Sequence, residues 1–277
     1  MTWIGKFIDS HCHLQEHGLQ PYLSQILDLA RQVGVRFMMS NGTSELDWQP
    51  LLDLSRSEPA IIPSLGLHPW YVSTRSKYWA TTLESLLANT NSGVGEIGLD
   101  GSLQHQDKAA QTEVLEEQLD IAHKFNRPVT LHCVRAWERL LTLLIGKNPA
   151  LNNFVLHSYG GSAEMARRFL DLGGYLSFSA KILNPDCYEA RKAFLLTPLD
   201  RLLLESDAPN LPQVEHCHRI LGTPDGRVLS EPGNLDLLAA EFANLRGISI
   251  ASLVEAVWQN SYSVFQHILP TQGPDRT

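Results

Sequence analysis

Short apolar runs alternate with longer amphipathic stretches along the whole chain. Short apolar runs bounded by turn residues are typical of strands, and hydrophobic residues spaced three and four apart are typical of helices. The pattern predicts eight strands, at residues 7–11, 36–40, 60–66, 93–99, 128–132, 154–157, 174–179 and 201–206. It predicts helices at residues 21–33, 46–57, 78–89, 107–125, 137–145, 162–170, 187–195, 234–244 and 250–267, with Ser162 as an N-cap.

This alternation decides the fold class. Parallel strands need crossover connections, so eight strands alternating with helices predict an α/β protein, a (β/α)8 barrel of the TIM type. An open, doubly wound sheet would give the same pattern. The 277 residues suffice for one barrel, and we expect a single domain over residues 1–277. Residues 208–233 follow the last strand without a regular pattern, so we expect a long loop over the active face.

Composition and charge narrow the possible functions. The chain carries 22 Lys and Arg against 30 Asp and Glu, a net charge of −8, which argues against a broad basic surface for duplex DNA. No apolar stretch approaches the roughly 20 residues of a membrane helix, and residues 1–6 do not resemble a signal peptide. Four cysteines are too few for a disulfide framework. We therefore expect a cytoplasmic protein, with no membrane association and no obligate protein partner.

Residues suited to metal binding lie where the predicted strands end. Barrel active sites are built at the carboxyl ends of the strands, so these side chains should meet at one rim. The candidate metal ligands are His11, His13, Glu96, His132, His157 and Asp207.

Each candidate also has a purely structural interpretation. His11 and His13 share one face of an extended strand and suit one metal, but they could be a half-buried pair on a strand edge. Glu96 lies in an apolar run, where a carboxylate needs a cation or a buried salt bridge. His132 and His157 could be core histidines, and Asp207 could cap a turn. Their joint position at strand ends favours metal binding.

The chemistry that follows is metal-dependent hydrolysis. Two divalent metals lower the pKa of bound water and polarise a phosphoryl or carbonyl oxygen. Asp207 would orient the water and take its proton, and Glu96 would bridge the metals, so both are predicted to be catalytic. A ligand set of nitrogen and oxygen without thiolate leaves Zn, Mg or Mn open, as well as Fe and Co.

Other residues are weaker candidates. His68 and Arg135 lie beside the predicted site and are expected to contact substrate, for example a phosphate oxygen, although His68 could be a packing histidine before proline and Arg135 could form a helix-start salt bridge. His216 and His218 lie in the long loop and are predicted to be surface or lid residues. Lys181 is expected to be solvated. Strand parity points Cys12 and Cys133 away from the site, as small core residues.

The order of motifs resembles the TatD family of metal-dependent deoxyribonucleases, which belongs to the amidohydrolase-like barrels. The matching segments run through most of the chain: residues 9–14, Gly66-Leu67-His68-Pro69, residues 95–100, Leu131-His132, His157-Ser158-Tyr159 and residues 205–209. The resemblance implies an exonuclease that cleaves phosphodiester bonds of DNA, in single strands or at strand ends. It also implies metal-binding roles for the six ligand candidates and phosphate contacts for His68 and Arg135.

Two other functions remain open. A small-molecule amide or ester hydrolase of the same superfamily would be favoured by a carboxylated lysine at the end of the fourth strand, where Glu96 stands instead. A non-catalytic scaffold would be favoured by the loss of a ligand, yet all six are present.

Overall fold

A computed structural model describes residues 6–102, 107–147, 154–210, 221–222 and 228–270. Its eight-stranded sheet is parallel, with neighbouring strands in chain order. The strands are β1 (Phe7–Cys12), β2 (Val35–Asn41), β3 (Ile61–Leu65), β4 (Gly93–Asp100), β5 (Val129–Val134), β6 (Phe154–Leu156), β7 (Tyr175–Phe178) and β8 (Leu202–Leu204).

Helices follow the strands, as the sequence predicts. They are α1 (Leu23–Gln32), α2 (Glu45–Ser57), α3 (Trp79–Asn89), α4 (Lys108–Lys124), α5 (Trp137–Gly146), α6 (Ala163–Asp171), α7 (Tyr188–Leu196), α8 (Leu235–Arg246) and α9 (Ile250–Phe265). Ser162 is the N-cap of α6, because its hydroxyl accepts a hydrogen bond from the backbone N–H of Met165 at 3.2 Å. Gly247 ends α8 in the left-handed conformation, with φ of 64°, as glycine commonly does.

The sheet closes on itself at a seam between β1 and β8. The Ser10 hydroxyl donates to the carbonyl of Leu204 at 2.9 Å. Just beyond β8, the backbone N–H of Asp207 donates to the carbonyl of His11 at 3.0 Å. The predicted barrel is therefore confirmed, and the open sheet is excluded.

Apolar packing fills the barrel at the start of the strands. Ile8, Phe37 and Ile62 form a buried cluster with the end of α9, including Val264 and Phe265. A larger buried cluster joins the strands to the surrounding helices. Because one end of the barrel is plugged by hydrocarbon, the buried polar side chains described below collect at the other end.

The structure corrects several boundaries. β8 stops at Leu204 rather than at residue 206, because the N–H of Ser206 bonds to the Asp9 carboxylate at 2.9 Å. The loop at 208–233 is not wholly irregular, since β9 (Leu221–Gly222) and β10 (Val228–Leu229) pair antiparallel within it. Residues 211–220, with His216 and His218, lie outside the described residues, so the predicted surface or lid position of these histidines stays a prediction.

Within the described ranges, no single helix has the length and composition to cross a membrane. The bent pair Pro232–Arg246 and Ile250–Phe265, which turns through 113°, meets that test only when both helices are taken together.

Candidate active site

The predicted ligands meet at the carboxyl end of the barrel, beside a cavity of about 540 Å³. Five of the six line this cavity, and His11 lies beneath it, fully buried. The two predicted substrate contacts, His68 and Arg135, line the same cavity. The structure therefore brings all eight predicted site residues together.

Glu96 is at the centre of the site because β4 packs tightly on its neighbours. Its backbone N–H donates to the carbonyl of Gly42 at 2.8 Å. Gly98 has φ of 152°, and a Cβ there would collide with the carbonyl of His132, so only glycine lets β4 lie this close to β5. The Glu96 side chain is consequently buried among imidazoles at the bottom of the cavity.

One carboxylate oxygen of Glu96 faces the end of β1. Its Oε2 lies 3.4 Å from the Nε2 atoms of both His11 and His13. The two Nε2 atoms are 3.1 Å apart. Asp207 completes this first group, with Oδ1 3.9 Å from His11 Nε2.

The other carboxylate oxygen of Glu96 faces the ends of β5 and β6. Its Oε1 lies 2.8 Å from His132 Nδ1 and 2.8 Å from His157 Nε2. The Nε2 atom of His68 is 3.4 Å from the same oxygen. Glu96 therefore stands between two groups of imidazole nitrogens, with one oxygen turned to each.

The donor atoms fit divalent metals. Two ligands at 2.0–2.1 Å from a tetrahedral zinc lie roughly 3.3 Å from each other, close to the separations in both groups. The Nδ1–H of His13 donates to the carbonyl of Asn41 at 2.8 Å, which leaves the Nε2 lone pair directed into the first group. His68 has the opposite tautomer, because its Nδ1 accepts from the N–H of Trp70 at 3.1 Å. Its Nε2 therefore carries a proton, which suits contact with a substrate oxygen better than metal binding.

The electrostatics of the site favour bound cations. Five carboxylates at or behind the site are buried, of which Glu96 and Asp207 line the cavity: Asp9, Glu96, Asp100, Glu205 and Asp207. Within the described part of the chain, neither Lys nor Arg forms an ion pair with any of them; four pair with histidines, and Asp9 is hydrogen-bonded to Ser206. Buried anions without permanent positive partners are costly, so this arrangement is compensated by metal or by protonated imidazole.

The imidazoles divide into two kinds. Burial lowers the pKa of His11 to about 3 and that of His68 to about 4, so both are neutral at physiological pH. Burial would also lower the pKa of His157, but the Glu96 and Glu205 carboxylates raise it well above its usual value. Burial likewise opposes protonation of His132, whose pKa is raised by hydrogen bonding to Asp100 and Glu96. The negative electrostatic potential that keeps protons on His132 and His157 also attracts a metal cation.

Asp207 lies beside the first group in an unusual backbone conformation. Its backbone has φ of 51°, a left-handed conformation unusual outside glycine, which the hydrogen bond from its N–H to His11 supports. Burial, reinforced by the Glu205 carboxylate, raises the pKa of Asp207 to about 7 against the pull of His157. A carboxyl group in this range can take up a proton near neutral pH.

Residues behind the ligands were missed by the sequence reasoning. Asp9 accepts hydrogen bonds from the N–H and hydroxyl of Ser206, at 2.9 and 2.6 Å. Glu205 accepts from the N–H of Ser158 at 2.6 Å, and its Oε1 is 3.7 Å from His157 Nδ1. Asp9 lies within β1 and Glu205 directly follows β8, so an acidic residue in or just after an apolar strand is the signal that could have identified them.

Lys181 and Asp100 were also missed. Lys181 is exposed, as predicted, yet it lines the cavity, with Nζ 3.7 Å from where a Cβ on Gly160 would stand. It lies in a 3-10 turn that the sequence did not indicate. Asp100 lies at the end of β4, with Oδ2 3.5 Å from His132 Nε2. Cys12 is buried as predicted, whereas Cys133 is buried but borders the cavity.

Comparison with known proteins identifies the family. Residues 8–266 match the family model described as TatD related DNase. The chain belongs to the TatD family.

Relatives agree with this membership over most of their length. The chain is 32% identical to the 3'-5' ssDNA/RNA exonuclease TatD of Erwinia tasmaniensis, over 87% of this chain and 92% of that protein. It is also 32% identical to a metal-dependent hydrolase of Haemophilus influenzae, over 74% and 82% of the two chains. The crystal structure of the TatD homologue YjjV from Escherichia coli matches with a TM-score of 0.86 and 28% sequence identity. The match covers 95% of this chain and 99% of the YjjV chain. The predicted TatD-type metal-dependent deoxyribonuclease is confirmed at the level of the family.

Proposed function

We propose that this TatD protein uses two divalent metals to hydrolyse phosphodiester bonds in single-stranded DNA or at strand ends. One observation carries the proposal: the two oxygens of Glu96 face two separate groups of imidazole nitrogens. A carboxylate that ligates a single metal needs no second nitrogen group on its other oxygen. Glu96 would be shared between two metals, one held by His11, His13 and Asp207 and the other by His132 and His157.

The residues divide the work of hydrolysis. Divalent cations at these two groups would lower the pKa of water and polarise a phosphoryl oxygen. Asp207 orients the attacking water and takes its proton, because burial raises the pKa of this carboxyl to about 7. Glu96 fixes the spacing of the two groups. His68 donates its Nε2–H to a phosphate oxygen, and the guanidinium of Arg135 binds the phosphate through two parallel hydrogen bonds.

The cavity and the overall charge favour a flexible substrate with one reactive phosphate at a time. A net charge of −8 repels a long polyanion, so attraction must come from the site itself. Arg135 and Lys181 both line the cavity, and their positive charges supply this attraction. We infer exonuclease action, and the Erwinia relative named as a 3'-5' exonuclease supports removal from the 3' end. Zn, Mg and Mn all suit the mixed nitrogen and oxygen ligands.

We also propose a cytoplasmic location for the protein. Cys12, Cys133 and Cys187 are free thiols in the structure. Reducing compartments maintain such thiols.

The test is a metal-controlled assay on a panel of substrates. Protein stripped with EDTA is reloaded with Zn, Mg or Mn, its metal content is measured by plasma mass spectrometry, and single-stranded DNA, duplex DNA, bis(p-nitrophenyl) phosphate and amides are compared. We expect two metals per chain and the fastest turnover on single strands, with products shortening from one end. Turnover of amides alone would support the small-molecule hydrolase instead. Turnover by verified metal-free protein would refute the metal mechanism.

A further inference from the structure

An exposed aromatic residue stands at the edge of the cavity. The Trp70 side chain is 51% exposed and lines the cavity together with Tyr71, which is 39% exposed. Trp70 and Tyr71 lie in the 3-10 turn Pro69–Thr74 that follows His68. Tryptophan is a large apolar side chain that is highly buried on average, so an indole half open to solvent at a cavity mouth points to a ligand.

The indole is held in place by the catalytic machinery itself. Its Nε1–H donates to Asp100 Oδ2 at 2.7 Å. The Trp70 backbone N–H donates to Nδ1 of His68, and the His68 and Trp70 rings meet edge to face with centroids 4.9 Å apart. Because His68 Nε2 is 3.4 Å from Glu96, the indole is one imidazole away from the bridging carboxylate. A platform fixed in advance loses little entropy when a ligand stacks on it.

The charges of the cavity are complementary to a nucleotide. The aromatic wall supplies a flat apolar surface, while Arg135 and Lys181 supply positive charge on the lining of the same cavity. Aromatic surfaces stack bases of any identity, and neighbouring cations hold the backbone phosphates. We propose that Trp70 stacks a nucleobase within the last three nucleotides of the strand that enters the site. This inference rests on the proposed function, because it assumes a nucleic acid substrate.

The alternative is that Trp70 only positions Asp100, and through it His132. Such a role would change kcat or metal content equally for all substrates. A stacking role would instead change KM, and only for substrates that carry the stacked base. The test therefore compares the metal-loaded wild type with Trp70→Phe, which keeps a ring but loses the Nε1–H, and with Trp70→Leu, which loses both. Tyr78→Leu is the control, since Tyr78 is 59% exposed but is not among the residues that line the cavity.

The substrates are one single-stranded oligonucleotide and three versions with a tetrahydrofuran residue, which lacks a base, at each of the last three positions in turn. For the wild type, we expect one version to have a KM roughly 5- to 150-fold higher, the range for one stacked base. Trp70→Leu should raise the KM of the normal oligonucleotide by a similar factor and leave that of the baseless version within twofold. Trp70→Phe should keep most of the base effect while its kcat falls.

Each result decides the inference. Equal KM values for all four oligonucleotides in the wild type would overturn it, even if Trp70→Leu failed to fold. An equal rise in KM for the normal and baseless substrates in Trp70→Leu would also overturn it and leave Trp70 as a positioning residue. Both results leave the proposed nuclease intact, since oligonucleotides are still cleaved. Turnover of bis(p-nitrophenyl) phosphate with no cleavage of any oligonucleotide would reject the DNA substrate and the base platform together.

Discussion

Replacing Glu96 by Gln is the sharpest test of the site. Gln keeps the shape of the side chain but removes its charge and turns one ligand oxygen into an NH₂ group that cannot ligate a metal. Because the two oxygens face different nitrogen groups at 2.8–3.4 Å, either orientation of the amide deprives one group of its shared ligand. We expect metal content to fall from two to one or fewer per chain.

The loss can be measured through stability as well as through metal content. A metal present at 100 times its Kd stabilises a protein by about 2.7 kcal/mol. For a chain of this size, each kcal/mol raises Tm by roughly 2–4 °C, so each of the two metals should raise the wild-type Tm by about 5–10 °C, and both together by about 10–20 °C. Glu96→Gln should lose half or more of this increase. Hydrolysis at saturating metal should fall by at least about 100-fold, since loss of several kcal/mol of charge stabilisation costs tenfold per 1.36 kcal/mol.

The control is Glu113→Gln, the same chemical change at an exposed position of α4. It should match the wild type in metal content, Tm and rate. If Glu96→Gln retained two metals and the full increase in Tm, the bridging role of Glu96 would be wrong, and the two nitrogen groups would not be metal sites that share it.

Three further predictions follow from the described contacts. Asp207→Asn should keep most bound metal while kcat falls by about 100- to 10,000-fold, the usual contribution of a general base. The control Asp171→Asn, at an exposed position, should not change kcat. Unchanged turnover in Asp207→Asn would remove this carboxylate from the reaction. Lys181→Ala should raise KM for oligonucleotides and lower the slope of log KM against log salt by about one, and an unchanged slope would mean that the lysine does not meet phosphate. In alkylation followed by peptide mapping, Cys187 should react before Cys12 and Cys133, because it is only half-buried and they are buried. Burial raises the pKa of the Cys133 thiol, so at pH 8 it stays protonated and slow to react until the protein unfolds, and early labelling of Cys133 would contradict this.

The ends of the strands explain why so much of the site could be predicted. In a parallel barrel, all carboxyl ends meet at one rim, so a histidine or carboxylate that ends an apolar run is placed there by topology alone. His157, which directly follows β6, needed no further information, whereas in the structure Glu96 and His132 lie within β4 and β5. The spacing of His11 and His13 added that they face the same side, because alternate residues of a strand do so.

What the sequence could not predict depends on loops and on side-chain rotation. The assignment of each Glu96 oxygen to one nitrogen group follows from the register of β4 against β5, which Gly98 permits. Lys181 reaches the cavity because a 3-10 turn follows β7, and Trp70 bonds to Asp100 across 30 positions of the chain. No periodic pattern encodes contacts of this kind, since turns of polar and small residues leave little trace in hydrophobic spacing.

The seam between β1 and β8 has a consequence for assembly. The His11 carbonyl accepts a hydrogen bond from the N–H of Asp207, and the Asp9 carboxylate accepts one from the N–H of Ser206. These bonds join the first strand of the barrel to the segment after the last strand, at the place where the candidate ligands His11 and Asp207 lie. A cation shared by His11 and Asp207 would therefore bind only after the last strand has docked on the first. Metal should then slow hydrogen exchange most at amides along this junction, and a chain ending before β8 (Leu202–Leu204) would lack both the closed barrel and Asp207.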